Sequence, residues 1–199
     1  MKHFVVILLL VVSSSPAVAG GDPVIGKSTA ILCIGCHGAD GNSTDSQNPK
    51  LAGQGEAYLA KQLIDFKSGA RKEVHMTSMV EAITDADIPN LSAYFSSQHR
   101  SKGTVIQNNT DFGKHIYQRG VKEKGIAACI TCHGLKGEGN PIEKFPSLVN
   151  QHPEYITKML KDFRSGTRSN DPLKMMREVA ASLNDQEIDS VSAYISSLN

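Results

Sequence analysis

The chain has 199 residues, 40% of them hydrophobic and only 6% aromatic, with no Trp. Its 21 basic and 20 acidic side chains leave a formal net charge of +1, and no basic run or aromatic–basic interleaving gives a nucleic-acid partner any support. With so few large apolar side chains, a domain of about 80 to 90 residues is near the limit for a protein-only core, so something besides side chains is expected to fill it.

The chain opens "MKHFVVILLLVVSSSPAVAG". Lys2, an apolar run from Phe4 to Val12 and the small-residue pattern Ala17-Val18-Ala19 read as a secretory signal peptide over residues 1–19. The alternative is a buried N-terminal helix or strand. The run is too short to cross a bilayer, which takes about 20 apolar residues. The mature chain is expected to begin near Gly20, exported, and soluble or at most peripheral to a membrane.

A helix is expected from about Ser28, carrying "CIGCHGADGN" from Cys33. The pattern returns 96 positions later as "CITCHGLKGEGN" from Cys129, on a helix expected from about Phe112, and the two stretches contain all 4 Cys. Structural disulfides are one reading in an exported protein. A zinc ribbon needs its CxxC pairs about 15 to 20 residues apart, and a thioredoxin-like pair needs a βαβ setting; neither fits. Covalent c-type haem, signalled by C-x-x-C-H, is the fourth reading, and disulfides would not require the histidine. On a helix, residues three and four apart share a face. Cys33 and Cys36 can therefore form thioethers to the two vinyl groups of one porphyrin while His37 ligates its iron. Cys129, Cys132 and His133 repeat the arrangement.

Next, Tyr58, Leu59, Gln62, Leu63 and Phe66 recur at helical spacing, with Gly69 as a stop; Tyr155, Ile156, Met159, Leu160 and Phe163 repeat this before Gly166. The sixth iron ligand has several candidates: His75, Met76 and Met79 in the first half, Met175 and Met176 in the second. Met76 lies nine residues before Asp85 and Met176 nine before Asp185, so the repeat selects these two; Met79 is second choice in the first half and His75 third. A methionine there otherwise reads as a core filler. A thioether sulfur raises the potential relative to a second imidazole and closes the coordination sphere, which favours an electron carrier over an enzyme. Thr84-Asp85-Ala86-Asp87 and Asn184-Asp185-Gln186-Glu187 read as N-caps of last helices running towards Tyr94-Phe95 and Tyr194-Ile195.

The polar "SKGTVIQNNT" over 101–110 reads as a linker between domains at 21–100 and 111–199. The repeat near 97 residues is a duplicated domain rather than a solenoid unit. No alternating strands are evident, so the fold is expected to be all-α. The halves differ slightly in charge, with 7 basic against 9 acidic residues from Gly21 to Arg100 and 13 against 11 from Ser101 to Asn199.

The tandem CxxCH motifs, with "GQGEAYLAKQLIDFKSGAR" and "AYFSSQ" between them, closely resemble the dihaem cytochrome c4 family over nearly the whole mature chain. The resemblance implies two covalent haem c groups, one in each of two class I cytochrome c domains related by an approximate two-fold axis. It also implies periplasmic one-electron transfer, from a cytochrome bc complex to a terminal oxidase. By motif position it places Pro49 and Pro146 as carbonyl acceptors for the free ring nitrogens of His37 and His133. It makes Tyr58, Arg71, Tyr155 and Arg168 donors to haem propionates, although the tyrosines also read as core and the arginines as solvated charges. Rival functions are a dihaem peroxidase and the cytochrome subunit of a periplasmic dehydrogenase.

Overall fold

The computed structural model describes residues 20–106 and 110–199; the expected signal peptide at 1–19 and positions 107–109 lie outside the described residues. The described chain is helical, as expected, with two isolated antiparallel bridges, Val121 to Ile126 and Asn140 to Phe145, and no sheet. The first group of helices is α1 Pro23–Thr29, α2 Ile34–His37, α3 Glu56–Lys67, α4 Val74–Met79 and α5 Asp87–Ser97. The second is α6 Thr110–Arg119, α7 Ile130–His133, α8 Pro153–Ser165, α9 Met175–Ala181 and α10 Asp185–Ser196.

Each group is organised by the crossing of its first and last helices. At the crossing of α1 and α5, Gly26 lies so close that a Cβ would come 2.0 Å from the Asn90 carbonyl oxygen. Gly113 in α6 meets Ser190 of α10 in the same way, at 1.9 Å. Only glycine allows backbones this close. Two separate apolar cores follow. In one, Leu59, Phe66, Ile88, Leu91 and Phe95 are buried, with Cys33, Leu51 and Met76 packed against them. In the other, Ile116, Tyr117, Ile156, Leu160, Ile188 and Val191 are buried, with Cys129, Leu148 and Met176 against them.

The helices α3 and α8 fall where the periodicity puts them. Pro153 stands in the first turn of α8, where its missing N–H costs nothing, and Gly166 ends it in the left-handed region at φ 79. The cysteine-bearing helices depart from expectation. In the first half α1 starts at Pro23, capped by the Asp22 carboxylate, and passes through a 3-10 turn at Ala30–Leu32 before α2. In the second half no continuous helix runs from Phe112 to Cys132. The α6 helix ends at Arg119, Gly120 turns the chain at φ 70, and a short bridged loop leads to Cys129. The last-helix caps also differ from each other. Asn184 and Glu187 form a complete capping box on α10, whereas α5 begins at Asp87 with no side-chain cap. There the Asp87 carboxylate accepts from the Thr84 N–H and hydroxyl, both at 2.7 Å.

The two groups meet through reciprocal bonds. The Gln151 side chain accepts from Lys50 N at 2.9 Å and donates to Lys50 O at 3.0 Å. The Gln54 side chain accepts from Ser147 N at 2.8 Å and donates to Ser147 O at 2.9 Å. Lys50 and Ser147 are repeat equivalents, as are Gln54 and Gln151, each pair 97 positions apart. A contact in which each partner does to the other what the other does to it is the signature of a two-fold axis, here within one chain.

Candidate functional site

Each CxxCH stretch forms a single helical turn. His37 N donates to Cys33 O at 3.0 Å, and His133 N to Cys129 O at 2.9 Å. No disulfide joins the four cysteines; Cys36 and Cys132 are exposed, Cys33 and Cys129 half-buried. Burial, with a smaller push from Cys36, raises the Cys33 thiol to about 11, and burial raises Cys129 to about 11 as well. Among the described residues no three His, Cys, Asp or Glu side chains gather as a metal site.

The histidines are buried, 5% and 8% exposed. His37 Nδ1 lies 2.8 Å from the Pro49 carbonyl oxygen, and His133 Nδ1 lies 3.0 Å from that of Pro146. A carbonyl only accepts, so Nδ1 carries the proton and Nε2 keeps its lone pair. Burial, opposed by that hydrogen bond, holds both imidazoles below their ordinary pKa and therefore neutral. A neutral imidazole with its second nitrogen fixed by a carbonyl is the form that ligates a metal.

Among the candidates for the opposite side, Met76 and Met176 are half-buried and packed on the same core clusters as Cys33 and Cys129. Met79, Met175 and His75 are exposed. Glu73 caps α4 by accepting from Met76 N at 2.9 Å. The second half carries three more residues between Arg168 and Met176 than the first does between Arg71 and Met76. That extra length is taken up by a turn in which Leu173 and Lys174 have positive φ, with Asp171 accepting from Arg177.

Between the halves lies a polar cluster built by the same two-fold logic. Arg71 Nη2 donates to Tyr155 OH at 3.2 Å, and Arg168 Nη2 to Tyr58 OH at 3.1 Å. Each guanidinium also stacks on the phenylalanine five residues before it, Arg71 on Phe66 at 4.6 Å and Arg168 on Phe163 at 4.5 Å. Neither arginine is the solvated charge that the sequence left open, for each is only 8% exposed. Burial alone would raise the Tyr58 hydroxyl, but Arg168 and Arg71 beside it outweigh that and hold it below its usual value. Gln62 Oε1 accepts from Arg71, Arg168 and Asn170 together. Among the described residues, no carboxylate pairs with either arginine. Two buried guanidinium ions sharing one neutral oxygen lack an anion, and a pair of propionate-bearing groups is the kind of partner that fits them.

Sequence reasoning did not assign roles to Gln62, Met159 or Asn170, which complete this cluster, nor to Lys50, Arg100 and His152 at the interface. Arg71 and Arg168 both contact the Met159 sulfur, at 3.4 and 3.0 Å. His152 Nε2 lies 2.9 Å from Ser43 Oγ, across the boundary between the halves. The repeat itself held a partial signal, because Gln54 and Gln151 match.

Residues 26–99 and 112–199 each match the cytochrome c family. Cytochrome c4 of Azotobacter vinelandii is 40% identical, the match covering 100% of this chain and 99% of that protein. The crystal structure of reduced recombinant cytochrome c4 from Pseudomonas stutzeri superposes with a TM-score of 0.87 at 41% identity, over 90% of this chain and 100% of that one. The chain belongs to the cytochrome c4 family. It carries two covalently bound haem c groups and is an electron-transfer protein, not an enzyme. A protein named thiosulfate dehydrogenase electron acceptor, from Thiomonas intermedia, is also similar, 38% identical over 83% of this chain and 78% of its own length. No helix among the described residues is long and apolar enough to cross a membrane.

Proposed function

We propose that this chain is a periplasmic carrier that relays single electrons from a cytochrome bc complex to a terminal oxidase through its two haem sites. Cys33 and Cys36 would hold one haem by thioether bonds, with His37 and Met76 as ligands to its iron; Cys129, Cys132, His133 and Met176 would hold the other. When bound, each haem supplies a one-electron couple between ferrous and ferric iron. The protein's part is to tune and place that couple. Pro49 and Pro146 orient the imidazoles and make them better donors. The core side chains packed on Met76 and Met176 keep water from the sulfur side. Arg71, Arg168, Tyr58 and Tyr155 would bind the propionates and neutralise their charge where the halves meet.

The observation that carries this reading is the buried arginine–tyrosine cluster built reciprocally from the two halves, each of which carries one CxxCH turn. A carrier with two centres needs them held close and in fixed orientation, and an anion-seeking cluster shared by the two halves would do that. The N-terminal segment 1–19 would export the chain, the compartment in which covalent haem attachment and bc-complex oxidation meet.

A second reading takes a periplasmic dehydrogenase as the electron donor, with the same haem chemistry. The similarity to proteins named as thiosulfate dehydrogenase electron acceptors favours it. The test is to purify the mature, haem-loaded protein, weigh it, record its visible spectrum and titrate its potential. Two haems, low-spin, with a sulfur-to-iron charge-transfer band from each, are expected. A high-spin resting haem would overturn the ligand assignment. Rates of reduction by a bc complex and by a thiosulfate-oxidising dehydrogenase then separate the two donors.

A further inference from the structure

One set of bonds across the interface stands outside the reciprocal glutamine pattern. Arg100 stands just past α5, where the chain leaves the first half. The Arg100 guanidinium is buried and bridges the halves. Its Nε donates to Ala52 O at 2.5 Å and its Nη1 to Val149 O at 2.7 Å. Its Nη2 is buried without a partner among the described residues.

Lys50 sits beside it, 4% exposed. Its ammonium donates three bonds, to Ser101 O, Ser101 Oγ and Lys102 O, all at 3.0 Å. Its repeat equivalent is Ser147, which cannot reach so far. The outgoing chain is held from both sides as well. Asn42 of the first half accepts from Ser101 N at 2.8 Å, and Asn150 of the second from Gly103 N at 3.3 Å. Residues 101–103, read from sequence as turn-prone linker, are thus pinned in place.

Neither cation forms an ion pair with a carboxylate among the described residues. Burial pushes Arg100 down to about 10, and burial followed by the nearby Arg100 charge lowers Lys50. Two buried like charges are an unfavourable choice for packing alone. What they gain is direction: carbonyls from the first half, the second half and the connection are drawn to one point, at fixed length, by charge-assisted bonds.

We propose that Arg100, backed by Lys50, is a positioning residue that clamps the exit of the first half to the second and so fixes the orientation in which an electron crosses between the two haems. This rests on the reading that each half holds one haem c. The clamp acts through the Arg100 and Lys50 side chains, alongside the glutamine bonds to the Lys50 and Ser147 backbones.

The test uses the full, haem-loaded protein with Arg100→Met and, separately, Lys50→Met. Loss of the charge-assisted bond to Val149 lowers the ratio of docked to parted halves by roughly 10- to 100-fold. Cleavage within 101–106 by a protease of broad specificity tracks the parted population and rises by about the same factor. After one haem is reduced by a short pulse, electron transfer to the other slows by about tenfold or more. The absorption bands of both haems stay as in the wild type, which a general loss of structure would not allow. Arg100→Lys recovers part of both effects, because one ammonium reaches one of the two carbonyls. Wild-type cleavage together with a wild-type interhaem rate in R100M overturns the proposal. Should R100M fail to take up haem, K50M is judged by the same two readouts. Wild-type protein without haem would instead refute the haem assignment, leaving the clamp to be judged by cleavage alone.

Discussion

Replacing Gln151 with Ala probes how much the symmetric bonds contribute to holding the halves together. The side chain is 4% exposed and answers both backbone polar groups of Lys50, at 2.9 and 3.0 Å; its oxygen also accepts from His152 N at 3.1 Å. Alanine removes all three bonds and leaves a buried N–H and C=O of Lys50 with no alternative partner. Each buried backbone group left unpaired costs about 1–3 kcal/mol, so the substitution should cost about 2–4 kcal/mol when partial relaxation is allowed for. Gln54→Ala does the same to Ser147, but Ser147 is half-buried and water can reach it. That cost should be about 1–2 kcal/mol. The pair also makes a prediction about additivity. Both glutamines act on one docking equilibrium, so once the halves part, the second substitution has nothing left to break. Q54A/Q151A should therefore cost less than the sum of the singles. The assay is denaturant unfolding of the haem-loaded protein, followed by absorption of each haem. Equal costs for the two singles, or strict additivity in the double variant, would refute the reasoning.

Gly26→Ala should destabilise the first half by about 1–3 kcal/mol or more, since the new Cβ would lie 2.0 Å from Asn90 O; Gly113→Ala should do the same to the second half, and thermal unfolding of each haem's environment checks both. Met76→Leu should abolish the sulfur-to-iron band of one haem only and lower that haem's potential, whereas Met79→Leu leaves both bands; the visible spectrum decides. Substituting Cys129 and Cys132 with Ser should yield a protein with one haem, a folded first half and a disordered second half, read by mass and by amide hydrogen exchange. Glu187 supplies the pH prediction. Burial raises its carboxyl, but the Lys124 ammonium and the Asn184 N–H bonded to it outweigh that, so its folded pKa lies below the unfolded one. Such a group adds stability above the unfolded value and loses it as pH falls through the folded one. Glu187→Gln should cost roughly 1–2 kcal/mol at neutral pH, and the difference from wild type should shrink as the pH is lowered through the carboxylate range, measured by denaturant unfolding at each pH.

Covalent chemistry and short-range pattern were legible without any structure. Cys33, Cys36 and His37 are adjacent in sequence, and the turn that joins them is local, so their spacing alone selects haem attachment. The periodicity of Tyr58–Phe66 and Tyr155–Phe163 gave two helices close to their true bounds for the same reason. Where the prediction slipped, tertiary packing had overruled local preference. A continuous helix from Phe112 to Cys132 is stopped by Gly120 and a loop whose Ile126 is buried in the core. The Thr84–Asp87 segment looks like an N-cap, but its hydrogen bonds run from Thr84 to Asp87 instead.

The residues between the halves were the least legible, because their partners lie far off in the chain. Arg71 and Arg168 look like ordinary surface charges until α3 and α8 bring Tyr58 and Tyr155 across to them. Lys50 and Arg100, 50 positions apart, carry no motif at all. Amino-acid order by itself determined that this protein has two haem-attaching turns on two copies of one helical plan, since bonding groups a few residues apart are fixed by helical geometry. Only the tertiary structure decided how the copies face each other and which buried cations hold them, since hydrogen bonds across an interface depend on where distant backbone carbonyls come to rest.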